Sequence, residues 1–111
     1  MFLPENEDHE IGLLLANYIA RDLGFKVIYL GQNVPSGNIV DVNDTVRPVA
    51  MLTMFVTPIS KEFNSLFKDA FKQIEIPLLI SGNYDISNCP PNFEYIENPD
   101  GLVKRLKEIA L

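Results

Sequence analysis

The chain has 111 residues, 47% of them hydrophobic and 22% charged, a balance that excludes a disordered segment and sets a single domain with its own core. A net charge of −6 and a pI near 4.6 count against direct binding to nucleic acid or to an anionic membrane surface. No apolar run approaches a membrane span, the acidic start does not read as a secretory signal, and the one cysteine, Cys89, excludes an internal disulfide and fits a reducing cytoplasm.

Residues 1–4 read as the stub of a first strand, cut short by Pro4 and a run of acids. A central parallel strand needs more residues than this, so the sequence reads as a piece of a longer chain. Next comes Glu7-Asp8-His9-Glu10-Ile11-Gly12, with the only histidine in the chain. Residues 11–23 form a helix that stops at Gly24, a natural residue just past a helix end. Apolar residues cover most of its circumference, among them Ile11, Leu14, Leu15 and Tyr18. Such a helix is either deeply buried or covered by something besides its own sheet.

Residues 26–30 read as a buried second strand ending at Gly31, followed by a loop over 32–35. A second helix from Pro35 or Ser36 to about Arg47 is weak, because Gly37, Asn38 and Asn43 are poor formers, and Pro48 closes it. Residues 49–55 are a third strand, apolar throughout except at Thr53, as a central parallel strand should be. Ser60 caps a third helix whose Phe63, Leu66, Phe67, Ala70, Phe71 and Ile74 recur at the spacing of one packed face. Residues 78–80 and 93–96 are strands four and five, the former ending at Ser81-Gly82-Asn83. Asn98, Pro99 and Asp100 open the last helix. Strands alternating with helices, joined by right-handed crossovers, give an α/β fold. Its sheet is a flavodoxin-like (Rossmann-like) one of five parallel strands, order 2-1-3-4-5, with helices on both faces.

In that order the ends of strands 1, 3 and 4 lie side by side, where ligands bind in such sheets. An imidazole at His9, with a carboxylate at Glu7, reads as a metal ligand with its orienting partner. Small residues at Thr53 and Gly82 would let a bulky ligand come close to the backbone. Each has an ordinary explanation alone: a solvated histidine, a strand threonine, a turn glycine. Their conjunction at one sheet edge favours a binding site. Cys89 has no basic neighbour and reads as an incidental loop thiol.

Glu7-x-His9-x-x-Gly12, Thr53-x-Phe55 and Gly82-Asn83 resemble, in type and spacing, the Asp-x-His-x-x-Gly, Ser-x-Leu and Gly-Gly signature of cobalamin-binding domains. Residues 30–35 also look like that family's second strand and loop, and the resemblance runs from Phe2 to the end. Glu in place of Asp is similar to the form in light-sensing MerR-type transcription regulators. The resemblance implies a cobalamin-binding sensory domain, with adenosylcobalamin the expected form and no catalysis by this chain. His9 would replace dimethylbenzimidazole as lower axial cobalt ligand, and Glu7 would hold its other nitrogen. The displaced nucleotide tail would run between the sheet and the first helix, past Ile11, Gly12, Thr53 and Gly82. Phe55 and Asn83, larger than the family's residues, would stand beside it. DNA would be met only through a helix-turn-helix domain outside residues 1–111, beyond a helical bundle, in a homo-oligomer away from membranes. Two other readings are a cofactor-free dimerisation module that kept the fold and lost cobalamin, and a corrinoid carrier subunit of a mutase or methyltransferase. A receiver-like phosphoacceptor at Asp8 lacks the acid pair and lysine that such domains need.

Overall fold

The computed structural model describes every residue except Asn6, Asp8 and Leu111. Strands β1 (Phe2–Pro4), β2 (Gly31–Val34), β3 (Met51–Phe55), β4 (Leu78–Gly82) and β5 (Phe93–Tyr95) form one parallel sheet in the order β2-β1-β3-β4-β5. Helices α1 (Ile11–Asp22) and α4 (Pro99–Ala110) cover one face, and α2 (Ser36–Val46) and α3 (Lys61–Phe71) cover the other. This is the architecture that the alternation of elements predicts.

The two-residue period of β3 divides the core. Met51 and Phe55 pack toward α2 and α3 with Phe2, Ile39, Phe67 and Phe71, while Leu52 packs toward α1 and α4 with Leu13, Ala16 and Leu102. The α3 side is aromatic, with Phe67 and Phe71 centroids 4.7 Å apart and Phe71 stacked on Phe2 at 5.9 Å. Leu66 departs from the expected stripe and is 69% exposed.

Helix ends follow the local chemistry. Gly24 takes a left-handed φ of 96° just past α1, and Arg47 takes one of 54° ahead of Pro48. The Ser60 hydroxyl accepts from the Phe63 N–H at 3.0 Å, and the Asn98 side chain accepts from the Gly101 N–H at 2.8 Å. Among the described residues no helix is long and apolar enough to cross a membrane.

The second strand differs from expectation. Its ladder begins at Gly31 rather than within 26–30, because its partner β1 begins only at Phe2 (Phe2↔Gly31, Pro4↔Val34). Residues 26–30 run along the same edge, and the main-chain hydrogen bonds they make to β1's side, among the described residues, are to Met1. The Met1 amine donates to the Ile28 carbonyl at 2.8 Å, and the Leu30 N–H donates to the Met1 carbonyl at 2.9 Å. This stretch is not buried: Val27 and Tyr29 turn inward, while Ile28 and Leu30 are 41% and 36% exposed.

Burial pushes the Met1 amine down from 8.0 to about 6. The folded chain therefore binds fewer protons there than the unfolded chain between those values. Stability from this group is present above pH 8 and lost as pH falls through about 6. Acetylating the amine should flatten the slope of thermal stability between pH 6 and 8, measured against the unmodified chain.

Candidate functional site

The turn after β1 is built around Glu7. Its main-chain N–H returns to the Pro4 carbonyl at 3.0 Å, and its carbonyl accepts from Asn33 of β2 at 3.1 Å. The side chain then points inward and is only 4% exposed. Its Oε1 accepts from the main-chain N–H groups of Val56 and Thr57, the latter at 2.9 Å, and its Oε2 accepts from the Thr57 hydroxyl at 2.9 Å. Burial alone would raise the Glu7 carboxyl, but these donors and His9 outweigh it and hold the group below its ordinary 4.5.

His9 stands over this carboxylate. Its Nδ1 lies 3.5 Å from Glu7 Oε2, and its imidazole is 61% exposed. On the far side of His9, the Glu10 carboxylate accepts from the Tyr29 hydroxyl at 2.7 Å. Burial, with Glu10 beside it, pushes the Tyr29 phenol up to about 12, so it stays a donor. The imidazole is therefore carried on a segment pinned at both ends by carboxylates. Asp8, considered above as a phosphoacceptor, lies outside the described residues.

The remaining candidates separate into two groups. Gly12, in the first turn of α1, faces the sheet so closely that a Cβ there would meet the Met54 sulfur at 2.8 Å. A cleft of about 230 Å³ runs on from this point between α1 and α4, over Leu52, Met54, Leu79 and Ser81. Ile11 is 85% exposed and is not among the residues that line the cleft. Thr53 and Phe55 point the other way. Thr53 is flanked in register by Phe2 and Ile80, both in the α2/α3 core. Phe55 is buried, stacked on Tyr84 at 4.6 Å and edge-on to Phe67 at 5.4 Å. The expected path of a tail past Thr53 and beside Phe55 is thus not met on the α1 face. Met54 is the residue that reaches into that cleft.

Gly82 has a local role. Its φ is 91°, and a Cβ there would collide with the Phe55 carbonyl oxygen, which also accepts from the Asn83 N–H at 2.6 Å. Its close approach is to β3, and Asn83 lines a shallow hollow with Ser60, Lys61 and Asn64 on the α3 side. Sequence reasoning missed Thr57 and Met54. Thr57-Pro58 directly after a central strand was the available signal for the first. Alternation within 51–55 was the signal for the second.

Among the described residues no group of three or more His, Cys, Asp or Glu side chains is placed to hold a metal ion. One oriented imidazole suits a metal that already carries its own equatorial donors.

No known protein family matches the chain, and no curated protein matches it. Solved structures do. A cobalamin-binding protein from Desulfitobacterium hafniense DCB-2 superposes with a TM-score of 0.79 at 24% identity, covering 97% of this chain and 57% of its own. The monomethylamine corrinoid protein of Methanosarcina barkeri gives 0.81 at 19% identity, covering 97% and 55%. The chain therefore has the fold of these corrinoid-binding proteins and spans somewhat over half the length of each.

Two outcomes test the geometry. Glu7→Gln should lower stability by about 1–3 kcal/mol in chemical denaturation at neutral pH, since an amide leaves a buried donor facing donors. The loss should shrink as pH falls from 4.5, where the unfolded chain's carboxyl takes up its proton, toward the lower pH at which the folded group does. Among the described residues the buried Thr53 hydroxyl has no hydrogen-bond partner. Thr53→Val should accordingly leave stability unchanged or raise it by about 1 kcal/mol in the same measurement.

Proposed function

We propose that this chain is a corrinoid-binding sensory domain in which His9 is the lower axial ligand of cobalt, and that it serves a MerR-type transcription regulator without turnover of its own. The observation that carries the reading is the buried Glu7 carboxylate, fixed by Val56 and Thr57 and set 3.5 Å from His9 Nδ1. A carboxylate so placed sets the tautomer, keeps the proton on Nδ1 and makes Nε2 the better electron-pair donor. Corrinoid would bring a cobalt centre with an exchangeable upper ligand. This chain's residues would hold its lower side.

The cleft between α1 and α4 offers an apolar seat for a displaced nucleotide tail, with Ser81 and Asn98 as polar groups at its walls. Met54 stands at its mouth beside Gly12. Its thioether is the far end of a flexible side chain and can turn aside without moving backbone. The residues present therefore fit the group once Met54 has rotated. The names of the two superposed proteins, one cobalamin-binding and one a corrinoid protein, support the same ligand class. Glu at position 7 supports a regulator over a methyltransferase carrier, because that variant resembles the regulators' motif. Adenosylcobalamin is the form proposed, and DNA would be contacted through a separate domain of a homo-oligomer.

Mixing the protein with hydroxocobalamin and recording the visible spectrum tests this. Wild type should retain the corrinoid through gel filtration with shifted bands, and His9→Ala should lose the shift. Indistinguishable spectra, with corrinoid retained by neither, would overturn cobalt ligation. Met54→Ala should tighten binding about fivefold to tenfold, the order of 1 kcal/mol expected for removing one obstructing side chain.

A second reading is favoured by α1. Its outward residues Ile11, Leu14, Leu15 and Tyr18 are 85%, 50%, 49% and 68% exposed at helical spacing, an apolar stripe that suits a cofactor-free dimer. Under that reading, molecular mass without cobalamin rises with protein concentration and Leu14→Glu abolishes the rise. A mass fixed at the monomer value removes it.

A further inference from the structure

A nucleotide tail is an aromatic base and a ribose joined to the corrin through a phosphodiester, which carries one negative charge. To run from His9 into the cleft between α1 and α4 it has to pass Gly12, where the Met54 side chain packs. Room beyond that point is short. The cleft holds about 230 Å³, less than the roughly 300–1,000 Å³ of ordinary small-molecule sites.

Charge is no better matched than volume. Among the described residues that line the cleft, Glu97 is the only charged one, and it is an acid on the exposed rim. A helix N-terminus beside a cleft ordinarily attracts phosphate, but that of α4 has little left to offer. It starts at Pro99, which has no N–H, and carries Asp100 in its first turn. The Gly101 N–H is taken by the Asn98 side chain at 2.8 Å, and the Leu102 N–H by the Asn98 carbonyl at 3.1 Å. A phosphodiester at this mouth would meet a carboxylate with no cation to offset it.

None of this bears on the histidine itself. Glu7 is saturated with donors from the loop after β3, and the His9 ring is mostly exposed, so ligation there needs neither the cleft nor a movement of Met54. We propose that the site discriminates among corrinoids by their tail, favouring a ring without the nucleotide (a cobinamide) over cobalamin, with Met54 as the steric filter and Glu97 as the electrostatic one. A tail-less ring brings no phosphodiester past Glu97 and displaces no side chain. It also has no internal base to compete with His9 for cobalt. Cobalamin remains a ligand, and the weaker one. This assignment of ligand class rests on the corrinoid reading above.

Titrating the full chain at low salt with aquacobinamide and with hydroxocobalamin, followed by visible absorbance, tests it. Wild type should bind aquacobinamide at least about tenfold more tightly. Met54→Ala should narrow that ratio about fivefold to tenfold, and the surface substitution Glu97→Gln about twofold. Equal affinities in wild type, or a ratio that neither substitution moves, would overturn the tail filter. If His9→Ala still removes the band shift given by aquacobinamide, that failure leaves the corrinoid reading standing. If wild type retains neither corrinoid, both fall together.

Discussion

A carboxylate taken out of water is unfavourable by several kcal/mol unless its lone pairs are met, and Glu7 meets its own with the N–H groups of Val56 and Thr57 and the Thr57 hydroxyl. Those donors lie beyond β3, while the acceptor belongs to the turn after β1. The interaction therefore ties together the two loops that flank the switch point of the sheet. His9 takes its position from this tie. The ring is mostly exposed, and its loop is tied to β2 by the Asn33 N–H on the Glu7 carbonyl. The Glu7 carboxylate on one side and the Glu10–Tyr29 contact on the other add to that tie.

The arrangement compensates for a weak centre. β1 lies between β2 and β3, yet it pairs with β3 at a single position, Phe2↔Thr53, and its register to β2 is broken between Phe2 and Pro4. The firm part of the sheet is β3 with β4, paired in register over all five residues. Anchoring the histidine loop to the end of β3 joins it to that firm part. Gly82 serves the same joint: with no Cβ, its backbone lies against the Phe55 carbonyl and lets β3 and β4 stay paired to their last residues. A glycine that reads in sequence as room for a ligand is here room for a neighbouring strand.

The order of strands and the helix boundaries were legible because each rests on local chemistry. Ser60, Asn98 and Gly24 act where they stand, whatever lies across the sheet. The facing of β3 was not legible from spacing alone. A motif of the type Thr-x-Phe fixes a spacing of two, which places both residues on one face but does not say which. That choice is made by the aromatic core of α3, which takes Phe55 against Tyr84 and Phe67 and so turns Thr53 the same way and Met54 toward α1. The second strand was misplaced for a related reason: Lys26 to Leu30 has strand composition, but a ladder needs a partner, and β1 supplies one only from Phe2 onward.

The two halves of the candidate site consequently stand in different states. The polar half is preformed, since Glu7 is already saturated with donors and already faces His9. The apolar half is narrowed by one side chain, Met54 against Gly12. Steric obstacles differ greatly in what removes them. A backbone clash such as the one Gly82 avoids would require two strands to part, whereas rotating an unbranched thioether is a matter of about 1 kcal/mol. With the imidazole fixed and the obstruction flexible, the corrinoid reading proposed above would have ligand entry depend on a side-chain rotation in β3 and the orientation of the imidazole depend on the buried carboxylate. Under that reading affinity and coordination would be separable, the first resting on Met54 and the second on Glu7.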